Sequence, residues 1–232
     1  MKRKFSTVLV LAAIMAVLFS AGAAQAEKAH ERRIRMSADL INKMAAQDDA
    51  SSLADVINSG RGVAIFPAVT KAGLIVGGQT GEGIVFLKKG NGRWSGPAFM
   101  GLSGASIGFQ IGAQSVGLVL VITNEKGLGA FTGDNSFKLG ADVAIAAGPV
   151  GRDASAATDG NAKASIYSYS MSKGLFAGVS VEGCVINQNR DASQAYWGKT
   201  LSPKAALARP ATDKRVAAVV KALNNLVRKA PK

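Results

Sequence analysis

The chain has 232 residues, 48% of them hydrophobic, and a formal charge of +13 from 28 Lys/Arg against 15 Asp/Glu. That length and apolar content are enough for one core. A single cysteine, Cys184, excludes an internal disulfide, and one cysteine with one histidine falls short of a structural zinc site.

The chain begins with Lys2, Arg3 and Lys4, an apolar run over 8–19, and then Ala24-Gln25-Ala26. A positive start, a short apolar segment and an A-x-A site form the pattern of a secretory leader, and the run is too short for a spanning helix. Cleavage after Ala26 is expected, and it leaves +10, three charges fewer. The absence of cysteine at the cut argues against a lipid-anchored lipoprotein. The expected divisions are a leader over 1–26, a helical segment over 27–60, a β-rich core over 61–200, and a linker with a basic helix over 201–232. Residues 27–232 are read as one domain. The remaining charge is uneven: −1 over 27–60, +4 over 61–200 and +7 over 201–232.

Residues 27–47 read as a helix with Ile34, Ala38, Ile41 and Ala45 on one face and Arg32, Arg35 and Lys43 turned away. Asp48-Asp49-Ala50-Ser51 breaks it, and a second helix carrying Leu53, Val56 and Ile57 stops at Gly60. From Val63 the period changes to that of strands. Pro67 assigns the first strand to a sheet edge. The next two runs, GLIVGGQT and GIVFLKK, read as a hairpin or bent pair joined through Gly81-Glu82-Gly83, and Gly90-Asn91-Gly92 as a turn. From Gly104 the residues alternate: Gly104, Ser106, Gly108, Gln110, Gly112 and Gln114 on one side, Ala105, Ile107, Phe109, Ile111 and Ala113 on the other. A glycine and glutamine face predicts close approach by another piece of backbone. Residues 116–122 show no alternation and read as a strand buried on both faces. Residues 124–133 form a connection with a helical turn, 137–147 an alternating strand, and 153–162 a small-residue loop. Further strands are expected at 164–170, 175–181 and 183–187, and a helical turn at 191–197. Residues 201–210 read as an irregular linker, and 213–230 as a helix with Asp213 near its start and Arg228 and Lys229 in its last turn. The expected fold class is α+β. It is a strongly bent antiparallel sheet or partly closed β-barrel, flanked by N-terminal helices and a C-terminal amphipathic helix.

The runs GVAIFPAVTKAGLIVGGQTGEGIVF, WSGPAFMGLSGASIGFQIGAQSVGLVLVITNEKGL, FKLGADVAIAAGPVGRDASAAT and IYSYSMSKGLFAGVSVEG follow in order. Together they resemble the SYLF domain family over about 53–197. None is a catalytic motif; the series is what is specific. The family includes eukaryotic proteins that bind phosphoinositide membranes and help organise actin, and exported bacterial members. The resemblance implies lipid binding without a reaction. In eukaryotic members an amphipathic N-terminal segment contributes to the membrane contact, and the segment before Leu53 takes that place here.

Catalytic patterns find little support. His30 stands on the first helix with no triad neighbour. Residues 77–83 lack the lysine and hydroxyl that follow the last glycine of a phosphate loop. A buried Asp142–Arg152 contact reads as structural pairing, and Cys184 as a buried small hydrophobe. No cofactor, metal site or catalytic residue is assigned.

The last helix carries the strongest signal. Val216, Val219, Val220, Leu223, Leu226 and Val227 make an apolar stripe, with Lys214, Arg215, Lys221, Arg228 and Lys229 opposite. Two uses are open: a helix docked on the core with a solvated basic face, or one that meets an anionic bilayer. Lys88, Lys89 and Arg93 at a hairpin tip form a second candidate patch. The function expected is non-enzymatic binding of anionic phospholipid, of phosphoinositide type, in the periplasm or cell envelope, with peripheral membrane association. The alternative is a structural envelope protein whose partner is a second copy or another protein. The leader pattern and the lack of a recognition motif argue against nucleic acid, and the basic last helix against an outer-membrane barrel.

Overall fold

The computed structural model describes residues 29–48, 50–73, 76–107, 112–148, 164–172, 175–177 and 181–231. The leader, the loop over 153–162 and Arg152 lie outside the described residues. Residues 29–45 form α1. Its Ile34, Ala38, Ile41 and Met44 are buried while Arg32, Arg35 and Lys43 are exposed, as the helical spacing predicts. The second helix, α2 (Ala50–Ser59), buries Leu53, Ala54, Val56 and Ile57. At Gly60, just past its end, a Cβ would lie 2.9 Å from the Val56 carbonyl oxygen.

Among the described residues nine strands follow: β1 (Gly62–Gly73), β2 (Val76–Lys88), β3 (Trp94–Ile107), β4 (Gly112–Ile122), β5 (Phe137–Lys138), β6 (Ile145–Ala147), β7 (Ile166–Ser172), β8 (Leu175–Ala177) and β9 (Val185–Gln188). They form one sheet in the order β5-β9-β3-β2-β1-β4-β7-β6, with β8 also paired to β7. All pairs are antiparallel except β6 with β7. The run β3-β2-β1-β4 is a Greek key. The sheet curls strongly into a half-barrel flanked by helices, so the fold is α+β as expected. Between and after the strands lie α3 (Glu125–Thr132), α4 (Arg190–Trp197), α5 (Pro203–Leu207), a 3₁₀ turn (Lys214–Val216) and α6 (Ala217–Val227).

The central strands are covered on both sides. On one side Val63, Ile65, Phe86, Phe99, Val119 and Val121 meet α1, α2 and α6. On the other Phe66, Val85, Leu118 and Leu120 meet Phe131 of α3 and Leu207 of α5. This explains why residues 116–122 carry no polar alternation.

Three expectations about the strands and one about the linker are corrected. Pro67 does not confine β1 to an edge, because β1 lies between β2 and β4. The register of β1 shifts between Ile65 and Ala68 against β2, and between Phe66 and Val69 against β4. A bulge leaves a residue unpaired, so a proline there loses no ladder bond. Gly81-Glu82-Gly83 is no turn; β2 runs straight through it, and its pairing with β1 continues to Gly73 opposite Gly77. Gly83 is needed for close approach, since a Cβ there would lie 2.6 Å from the Phe66 ring and 2.7 Å from the Ile65 carbonyl oxygen. Gly83→Ala is therefore expected to cost about 1–3 kcal/mol by overpacking, read as a lower denaturant midpoint. An unchanged midpoint would mean that β1 yields freely at its bulge. Residues 137–147 are not one strand: a turn with Gly140 at φ +85° separates β5 from β6. Residues 201–210 are not irregular throughout, because Ser202 caps α5 by accepting from the Ala205 amide at 3.2 Å and Pro210 bridges Ser95.

Candidate functional site

The C-terminal helix starts from a built cap. Asp213 accepts from the Arg215 amide at 2.8 Å and pairs with its guanidinium at 2.7 Å. Hydrogen bonds from Arg215 hold the Asp213 carboxyl down at about 2. The guanidinium also donates to the Tyr196 carbonyl oxygen at 3.0 Å and lies 3.8 Å over the Tyr196 ring. Arg215 is thus held by protein partners and leaves the predicted set of free cations.

The apolar stripe is used by the core. Val216, Val219, Leu223 and Leu226 are fully buried, and Val220 and Val227 pack against the same cluster. The stripe therefore docks on the core. Lys214, Lys221, Arg228 and Lys229 are exposed. The first three are seven residues apart, and seven residues make nearly two helical turns, so they form almost one line. Beside the line runs a shallow groove of about 440 Å³ between Ala211, Val220, Lys221, Asn224 and Arg228.

The second patch joins this face through one hydrogen bond. Trp94 Nε1 donates to Asn224 Oδ1 at 2.8 Å, which fixes the start of β3 beside α6. The β2–β3 turn then carries Lys89 and Arg93 next to the helix. It is closed by the Lys89 amide on the Arg93 carbonyl oxygen at 2.8 Å, with Gly92 at φ +75°. Lys88 does not belong to the patch. Its ammonium donates to the carbonyl and side-chain oxygens of Asn58, at 2.6 and 2.7 Å, and so closes the end of α2, and burial lowers its pKa. The sequence reading missed Arg209, an exposed cation stacked 5.1 Å from the Trp197 ring, whose carbonyl oxygen accepts from Gly96 on β3. Its place depends on tertiary pairing that no local pattern announces.

A buried polar row on α1 was also invisible. His30, Arg33 and Ser37 are all buried, at helical spacing. His30 lies edge-on to Phe99 and Tyr196, with ring centroids 6.2 and 5.9 Å apart. This is a core position, not a cleft. Arg33 pairs with Glu82, which also accepts from Asn189 Nδ2 at 2.7 Å, so one carboxylate joins α1, β2 and the start of α4. The pair is lopsided: the Arg33 side chain is 6% exposed and that of Glu82 57%. Glu82→Gln is expected to cost several-fold more stability than Arg33→Met. The first leaves a buried cation without its counter-charge, while the second leaves a carboxylate that water can solvate. Equal losses in denaturant unfolding would contradict this.

Asp142 is exposed and accepts from the Lys138 amide at 2.7 Å, closing a turn, so it is not buried as expected; its pairing with Arg152 lies outside the described residues. Among the described residues no group of three or more His, Cys, Asp or Glu could hold a metal ion, and no helix is long and apolar enough to cross a membrane.

Residues 103–230, which include α6, match a family model described as Ysc84, Las17-binding protein actin regulator. The chain is 35% identical over 152 residues to LAS seventeen-binding protein 3 of Saccharomyces cerevisiae, which covers 65% of this chain and 33% of the yeast protein. It is 34% identical over 144 residues to SH3 domain-containing YSC84-like protein 1 of Xenopus laevis, covering 62% of this chain and 43% of that protein. The human protein of the same name is 33% identical over 144 residues, covering 62% and 42%. The matched part thus spans between a third and under half of these relatives.

Proposed function

The chain belongs to the Ysc84, or SYLF, family, and on that premise we propose that it is a non-enzymatic module that binds anionic phospholipid surfaces at the cell envelope. The contact face is the outer side of α6 with the neighbouring turn: Lys214, Lys221, Arg228, Lys229, Lys89 and Arg93. One observation carries the reading. The apolar stripe of α6 is committed to the core, so its cations have no direction but outward. Each basic residue held near an anionic leaflet contributes about 1 kcal/mol, and the attraction falls off within a Debye length. Binding is therefore peripheral, salt-sensitive and needs no inserted helix. The leader pattern over 1–26 supports export to the periplasm or envelope.

Co-sedimentation with vesicles tests the proposal. The protein is expected to pellet with phosphatidylglycerol vesicles at low salt and to stay in solution with phosphatidylcholine vesicles. Failure to pellet with either, with the protein folded, sinks it. A second reading, a protein partner with an acidic surface, is favoured by the names of relatives such as LAS seventeen-binding protein 3. The same cationic face would serve it.

A further inference from the structure

The face of the sheet opposite α1 carries a second polar cluster, at the end of β1 and β2 far from the β2–β3 turn. Lys71 on β1 stands directly across from Gln79 on β2 and from Gln114 on β4. Directly paired residues point to the same face, so the three side chains form one row across three strands. Gln79 is in turn paired with Gly104 on β3. At Gly104 a Cβ would lie 2.9 Å from the Cys184 sulfur, so the missing side chain is what admits the cysteine. The close approach expected for the glycine and glutamine face is seen at Gly104, but 104–114 is not one strand: β3 ends at Ile107, β4 begins at Gly112, and 108–111 lie outside the described residues.

The row has an open hydrogen-bonding requirement. Gln79 is 5% exposed, and its Nε2 donates to the Ala105 carbonyl oxygen at 3.2 Å and to Cys184 Sγ at 2.9 Å. Its Oε1 is buried and has no partner among the described residues. A buried acceptor without a donor costs free energy unless something supplies one. Beside it Lys71 is half-buried, and burial lowers its pKa. Burial also raises the pKa of the Cys184 thiol, which accepts from Gln79 in the same cluster. The next row outward pairs Ser106, Gly77, Gly73 and Gly112. Three of these four have no side chain, so β1, β2 and β4 offer no side-chain bulk there.

We propose that Lys71 and Gln79, flanked by Gln114, form a binding site for a phosphate ester that carries a hydroxyl or ammonium donor a few atoms from its phosphorus. The ammonium of Lys71 takes the phosphate, as a compact point charge does. The donor arm reaches Gln79 Oε1 and completes its hydrogen bonding. Glycerophosphate and phosphoethanolamine have this form, free or as lipid head groups. The site is separate from the α6 surface: it lies on the other face of the sheet, and Gln79 is nine residues from Lys88, roughly 30 Å along the strand.

Titration calorimetry on the folded mature chain tests this with sn-glycerol 3-phosphate and phosphoethanolamine as probes. Saturable binding is expected, with inorganic phosphate weaker because it brings no donor arm. Lys71→Gln is expected to weaken the probes about tenfold or more, and Lys71→Arg to restore most of the loss. Thermal midpoints of both variants establish that they fold. Soluble short-chain phosphatidylethanolamine added as competitor separates the sources: displacement of the probe supports a lipid head group, and no displacement supports a free ester. The proposal is overturned if neither probe binds up to about 10 mM. It is equally overturned if binding survives Lys71→Gln, or if charge reversal on α6 abolishes it.

Discussion

Reversing three charges, Lys214→Glu, Lys221→Glu and Arg228→Glu together, is expected to abolish pelleting with phosphatidylglycerol vesicles while leaving the protein folded. The argument is additive to first order. Three cations near an anionic surface contribute about 3 kcal/mol in sum, which is a factor of more than 100 in affinity, and three carboxylates in their place add repulsion. All three positions are exposed, and none makes an ion pair among the described residues, so the fold loses no ionic contact. Arg215→Glu is the informative contrast. It removes the ion pair with Asp213 and the stacking on Tyr196 and sets a second carboxylate beside Asp213, so its effect falls on stability and is not a clean binding readout. A triple variant that pellets like the parent places the lipid contact elsewhere.

Phe99→Ala is expected to lower stability by about 3–5 kcal/mol, enough to unfold much of a marginally stable domain. Phe99 is 1% exposed and sits at the junction of three elements. Its ring lies 5.4 Å from that of Tyr196 on α4, 6.2 Å from His30 on α1, and 5.8 Å from the Arg33 guanidinium. Truncation removes the surface on which the polar row of α1 rests, so the cavity cannot be filled without moving that helix. Chemical denaturation measures the loss. A cost below about 1 kcal/mol would show that α1 and α4 do not depend on this ring.

The α6 cations and Phe99 mark what the sequence makes legible and what it does not. The α6 cations and stripe follow a 3.6-residue period, which a linear reading detects directly, and Asp213 is a recognisable cap. The strand 116–122 is legible because burial on both faces removes its polar positions. The role of Phe99 is not legible, because it depends on partners from residues 30, 33 and 196, brought together only by the curl of the sheet. The same holds for Pro67, whose edge assignment fails because a bulge is a property of two neighbouring strands. Gly81 and Gly83 mislead for a related reason. A glycine in a strand can serve a turn or a close approach, and only the Phe66 ring decides between them. Within the candidate site, Lys88 and Arg215 share the composition of their neighbours. What removes them from the contact set is their hydrogen bonds to Asn58 and Asp213, and spacing carries no trace of those.

A nitroxide on Lys221→Cys, compared with one on Gly129→Cys of α3 across the sheet, tests the central claim most directly, because the native Cys184 is buried and stays unlabelled. Addition of phosphatidylglycerol vesicles at low salt is expected to slow the label at 221 and place it at head-group depth, with the label at 129 unchanged. Slowing at 129 with no change at 221 would contradict a membrane contact made by the outer face of the last helix.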